Sequence, residues 1–256
     1  MNDAVKQRQG TYGAGIYRRA IRVLTSAGTA RADMEDDEHR YGAIIRHDGR
    51  RVTAAEGVPI RTPWTLCAGA AAKLAALAGM ELSENPVGAH AFTDSLVQCT
   101  HMFDMAALAI AHAARGTPER RYDIAIGIDD WAAPLTARLR RDGTDVLEWI
   151  ISNGAITAPA KFAGCNLKRL NDWAPTMAAG IDDYEAFVVL RRAIYISSAR
   201  SLDLESFPNA ASIPGVDRVL GACAVYQPSV APLAARVGGT RRDFTDRPEA
   251  LLADLA

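Results

Sequence analysis

The chain has 256 residues, 49% of them hydrophobic, with 29 basic against 30 acidic side chains and a formal net charge of −1. That length can bury a real core and allows one large domain or two fused small ones. The balanced charge leaves no field for nucleic acid or an anionic membrane surface, so a small-molecule ligand or a protein partner is expected instead.

Residues 1–14 read as a flexible leader, and residues 15–256 as a single α+β domain of antiparallel β-meanders with packed helices. After the leader, "IYRRAIRVL" alternates as a half-buried strand does, with Ile21 and Val23 on one face. Asp48-Gly49 and Asp142-Gly143 each sit between two strand-like runs, a strong hairpin signal. The two hairpins expose an internal repeat, with units over about 29–115 and 120–200. Each runs strand, acidic pair (Asp36-Asp37 or Asp129-Asp130), strand, Asp-Gly turn, strand, Pro-to-Gly loop, short helix, longer helix. Unrelated meanders can share Asp-Gly turns, so duplication stays one of two readings. The longer helices are expected over Cys99–Ala114 and Asp182–Ala199, the second capped by Asp182 with Glu185 completing a capping box. One more strand is expected at Ala222–Tyr226.

Neither GxGxxG nor GxxxxGK follows a strand, so this is not a nucleotide-binding α/β chain. The most apolar window, Met105–Ala114, is too short to span a bilayer. Cys67, Cys99, Cys165 and Cys223 form no CxxC pair, and the polar opening "MNDAVKQRQG" carries no signal-peptide pattern. A reduced, cytoplasmic protein is expected.

Three stretches could carry chemistry. In "CTHMFDM", His101 and Asp104 are i, i+3 neighbours at the start of a helix whose "MAALAIA" run buries it on most sides. The helix dipole there favours an anion and a neutral imidazole, the state a general base needs. His101 and His112 share a face but lie about 16 Å apart along the axis, so they cannot ligate one metal. The alternative is purely structural, with Thr100 capping the helix while His101 and Asp104 satisfy one another. In "MEDDEHRY", strand alternation would put Asp37 and His39 on one face, and adjacent carboxylates can raise each other's pKa enough to make a general acid; the bland reading is an exposed charged turn. In "PIRTPWTLC", Arg61 could hold a phenolate or carboxylate and Trp64 could stack on an aromatic ring. Cys67 and Cys99 read as buried small hydrophobes, and a metal site built from Cys67, Cys99 and His101 lacks any recognised ligand spacing. No metal and no cofactor are expected.

The string "EDDEH…HDG…RTPWTLCAGA…CTHMFDMAALAIAHA…RRDG…RRDF" resembles the bacterial family catalogued as domain of unknown function 2889, over about Tyr17–Phe244. The resemblance implies a catabolic enzyme for lignin-derived aromatics and, in the "CTHxFD" subgroup, a lyase that releases formaldehyde from aromatic dimers. Losing formaldehyde from a primary carbinol needs a base for the hydroxyl proton and an acid or cation for the benzylic oxygen that leaves. His101, oriented by Asp104, would be the base. Arg61, or His39 with Asp37, would stabilise the leaving oxygen. Trp64, Phe103, Trp131 and Tyr41 would wall a pocket for a small hydrophobic aromatic substrate. Two other classes stay open: a hydrolase, dehydratase or isomerase using the same acid–base pair, and a non-catalytic binding module. A homodimer is also left open.

Overall fold

The computed structural model describes residues 15–128 and 134–255; the expected leader, the Asp129-Asp130 pair and Trp131 lie outside them. The elements are β1 (Gly15–Ser26), β2 (Thr29–Asp36), β3 (Arg40–His47), β4 (Val52–Arg61), α1 (Ala89–Phe92) and α2 (Thr100–Arg115). There follow β5 (Glu119–Ile128), β6 (Leu135–Arg141), β7 (Thr144–Ser152), β8 (Ala155–Ala158), α3 (Leu170–Met177) and α4 (Ile181–Ser197). The strands hydrogen-bond in the order β4-β3-β2-β1-β5-β6-β7-β8 as one antiparallel sheet, so the fold is α+β. The chain falls into two compact units, one of residues up to Ala20, Arg121–Asp203 and Asp243–Leu251, the other of Ile21–Arg120, Leu204–Arg242 and residues from Leu252. No helix among the described residues is long and apolar enough to cross a membrane.

In the unit that begins at Ile21, β2 and β3 pair in register from Thr29↔Arg46 to Glu35↔Arg40. Ala30, Ala32, Met34, Ala43 and Ile45 are fully buried, and small residues at alternate positions let a helix settle closely on these strands. That helix is α2, which packs on β2 and β3 and buries Met102, Phe103 and every residue from Met105 to His112. It ends where Gly116 takes the left-handed conformation and its N–H returns to the Ala113 and His112 carbonyls. At the other end Cys99 occupies the cap position with no side-chain cap bond. Thr100 therefore opens the helix and does not cap it.

The β3–β4 hairpin turns at Asp48-Gly49 as expected, Asp48 Oδ1 accepting from the Arg50 and Arg51 backbone N–H at 2.8 and 2.7 Å. The expected strand at Ala222–Tyr226 is replaced by turns: Gly221 N–H donates to the Tyr226 carbonyl, and Ala224 N–H donates to the Gln98 carbonyl just before α2. These backbone groups are satisfied locally or by a loop, which leaves no ladder to extend.

In the other unit, Asp142 and Gly143 both have positive φ, 50° and 80°, and join β6 to β7 in a tight hairpin. Trp149, Phe162, Trp173 and Phe187 pack together with centroids 5.3 to 6.2 Å apart. The long helix starts one residue earlier than expected, with extended Gly180 at the cap position and Asp182 already in its first turn. Because Asp182 is not the cap residue, its spacing to Glu185 is not that of a capping box; Glu185 is fully buried and accepts from the Tyr122 hydroxyl. Asp183 takes a backbone N–H there instead, that of Ala179 at 3.2 Å.

In the unit that begins at Ile21, packing is close at Gly57 on β4. A Cβ there would lie 2.7 Å from the Met102 sulfur of α2 and 2.8 Å from Ala71 Cα. Gly57→Ala is expected to force these elements apart and cost about 1–3 kcal/mol, read as a lowered urea midpoint; an unchanged midpoint would mean that the three segments have slack.

Candidate functional site

Strand β2 ends at Asp36 and β3 begins at Arg40, so "EDDEH" forms the reversal between them and is not a continuing strand. The Asp36 N–H donates to the His39 carbonyl at 2.9 Å, and Asp36 Oδ1 accepts from the backbone N–H of Glu38 at 3.0 Å and of His39 at 2.9 Å. The same oxygen lies 2.9 Å from His39 Nδ1. The carboxylate brought to His39 is therefore Asp36, because a turn and not strand alternation sets the side-chain directions. The turn is not an exposed one either: Asp36, Asp37, Glu38, His39 and Arg40 are all at most 8% exposed.

Burying so many charges is costly unless each is paired. Arg61 supplies the main tie. Its Nη1 donates to the carbonyls of Asp37 at 2.9 Å and Thr240 at 2.8 Å, and its Nη2 to Asp36 at 2.6 Å, His39 at 3.2 Å and Glu35 Oε1 at 3.1 Å. A register shift at Arg40/Tyr41, where Arg40 faces Arg61 and Tyr41 faces Pro59, marks a bulge that accompanies this placement. Glu35 also accepts from the Leu252 N–H at 2.9 Å, and Arg40 donates to both oxygens of Asp254. Glu38 is held by Arg236 at 3.2 Å and Arg241 at 3.3 Å. Burial nevertheless pushes its carboxyl above the ordinary range, the two guanidiniums pulling it back in part.

Against this turn the first helical turn of α2 lays His101. Its ring stacks on His39 with centroids 4.1 Å apart and planes 27° from parallel, and it lies 5.4 Å from the ring of Tyr41. Asp36, His39 and His101 each offer a ligand atom within 4.8 Å of the others, the one such group of three among the described residues. No cysteine belongs to it.

Of the other predicted residues, Tyr41 lies beside His101, while Asp104, Phe103 and Trp64 make contacts elsewhere. Asp104 Oδ1 is 4.0 Å from His90 Nε2, and His90 meets Phe103 edge-on at 5.0 Å. Trp64 is buried beneath the Arg236 guanidinium and hydrogen-bonds the Tyr226 hydroxyl. Tyr41 is buried and hydrogen-bonds the Cys67 thiol. Burial pushes Cys67 up to about 11 and raises Cys99 further, so neither is a ready thiolate. Asp37 is buried, and its backbone carbonyl accepts from Arg61 and from the Arg242 N–H.

Sequence reasoning passed over Glu38, Arg236, Arg241 and Tyr226 as parts of the site. The one signal was the density of arginine near the end of the chain, with no local pattern to say which acids it serves. No family model and no curated protein matches the chain.

Two outcomes test this geometry. Arg61→Lys keeps the charge but not the fork that reaches five acceptors, and should cost about 2–3 kcal/mol in urea unfolding; a loss below about 0.5 kcal/mol would remove Arg61 as the tie. Folding raises the Cys67 thiol from 9.0 to about 11, so the unfolded chain gives up that proton first. Stability should fall as pH rises through that window, and Cys67→Ala should flatten the decline relative to the parent protein.

Proposed function

We propose that the chain is an acid–base enzyme, a carbon–carbon lyase that releases formaldehyde from a hydrophobic lignin-type aromatic dimer in the cytoplasm, with His39 and His101 as its proton-transfer pair. The observation that carries the acid–base reading is the stack of two imidazoles on a carboxylate whose direction is fixed by two backbone N–H bonds. Asp36 accepting from Nδ1–H of His39 would fix the tautomer and turn Nε2 into the working nitrogen. A second imidazole in ring contact gives the site one group to take a proton and another to give one. The choice of lyase and of substrate draws on the resemblance of "EDDEH" and "CTHMFD" to that family.

The reaction balances with these groups. One imidazole takes the proton of the CH2OH hydroxyl. The C–C bond to that carbon breaks as its C–O bond becomes the carbonyl of formaldehyde. The released electron pair forms a new C=C bond and expels the benzylic hydroxyl, which takes a proton from the second imidazole and departs as water. Neither oxidant nor reductant is consumed. Tyr41, 5.4 Å from the His101 ring, is the aromatic side chain beside the pair that suits an aromatic substrate.

Purified protein incubated with a 1,2-diarylpropane-1,3-diol should yield formaldehyde and the stilbene in equal amounts. His101→Ala and His39→Ala should each lower the rate by roughly 10²-fold or more, with the far-UV circular dichroism unchanged. Full activity in His101→Ala would overturn the assignment of the pair. Water gained or lost, or a shifted double bond, without formaldehyde would assign the same centre to a hydrolase, dehydratase or isomerase.

A further inference from the structure

We propose that Asp36, His39 and His101 form a binding site for one divalent transition-metal ion. Two imidazoles and one carboxylate, drawn from a turn at residues 36–39 and a helix start at residue 101, is a donor set that suits iron(II), manganese, cobalt or zinc and leaves coordination positions open. The three ligand atoms lie within 4.8 Å of one another. Ligands about 2.1 Å from an ion at tetrahedral angles sit about 3.4 Å apart, so small side-chain shifts close the set. The supports that such ligands need are present. Asp36 is fixed by the Glu38 and His39 backbone N–H groups, and the carbonyls of Asp36, Asp37 and His39 are tied by Arg61. Outer contacts of this kind hold ligand direction in metal centres.

The arrangement also answers an electrostatic question. The leaving oxygen needs an acid or a cation, and Arg61, one of the side chains expected there, already donates to five acceptors in the turn. An ion on the three ligands would supply that charge, but it would engage ring nitrogens that the lyase reading uses for proton transfer, so the two are alternative uses of this centre. The inference goes beyond the lyase reading and stands without it, because binding is measured apart from turnover.

Protein stripped with a chelator and dialysed is titrated with cobalt(II) and followed by its visible absorption, with zinc as competitor and the bound metal counted after dialysis. One equivalent per chain is expected, displaced by zinc. Asp36→Ala, His39→Ala and His101→Ala should each weaken binding by 10-fold or more, at least the loss that removing a hydrogen-bond partner of a metal ligand brings, while Cys67→Ser and Cys99→Ser retain it. Binding that survives His101→Ala, or that is lost in the cysteine variants instead, overturns the ligand set; no stoichiometric binding to the folded protein overturns the site. Formaldehyde release by the stripped protein, measured in parallel, reports on the lyase reading alone: activity without metal leaves it standing when the metal site fails.

Discussion

The guanidinium of Arg61 lets four consecutive acidic residues turn a corner in the interior. Glu35, Asp36, Asp37 and Glu38 would ordinarily force a chain to the surface, since a buried carboxylate without a partner is among the costliest groups to fold around. Arg61 binds the backbone of the turn more than its side chains, taking the carbonyls of Asp36, Asp37 and His39 on one rigid fork. Asp36 and Glu38 are thereby released for other partners, Asp36 for His39 and Glu38 for two arginines, while Glu35 bridges Arg61 and a distant N–H. A lysine carries the same charge but lacks the planar geometry to do this.

With the turn fixed, the position of His39 follows, and the site needs only one further contribution. Helix α2 makes it by presenting His101 in its first turn, while the rest of the helix is held by apolar packing on β2 and β3. The apolar body sets the helix position and the polar start uses it. This division matches the demand that functional groups be placed on rigid elements whose own packing is settled elsewhere.

How far all this was legible in the sequence depends on the range of each interaction. Strand β1, the two Asp-Gly hairpins and the long helices came from short-range patterns, the α+β class followed from them, and the structure contains each. His101 stood out because an imidazole in an otherwise apolar helix is conspicuous. The pairing of His39 with Asp36 was missed for a local reason: Asp36 accepts two backbone N–H bonds that convert strand into turn, and alternation then no longer predicts which side chains meet. The stacking of His39 on His101 was invisible for a global one, since nothing in a linear chain links residue 39 to residue 101. A similar limit applies to Arg236 and Arg241, whose partner Glu38 lies 198 and 203 residues away. At Asp182, the capping-box spacing was present, but Glu185 is drawn into the core by the Tyr122 hydroxyl.

Those last separations bear on how the protein comes to be. The Asp36–His39 turn can close as soon as a handful of residues are made, yet the arginines that neutralise Glu38 follow only after some two hundred more, with the Arg121–Asp203 segment of the other compact unit lying between them in sequence. Loop closure over such a span adds only about 0.6 kcal/mol for each doubling of length, so the arrangement is thermodynamically mild. Its cost is in time. Contacts of such high sequence separation form late, and until they do the acidic turn has reason to stay in water. A turn whose charges end up almost wholly buried is then among the later parts to leave solvent, and it is complete only once residues 236 and 241 are in place.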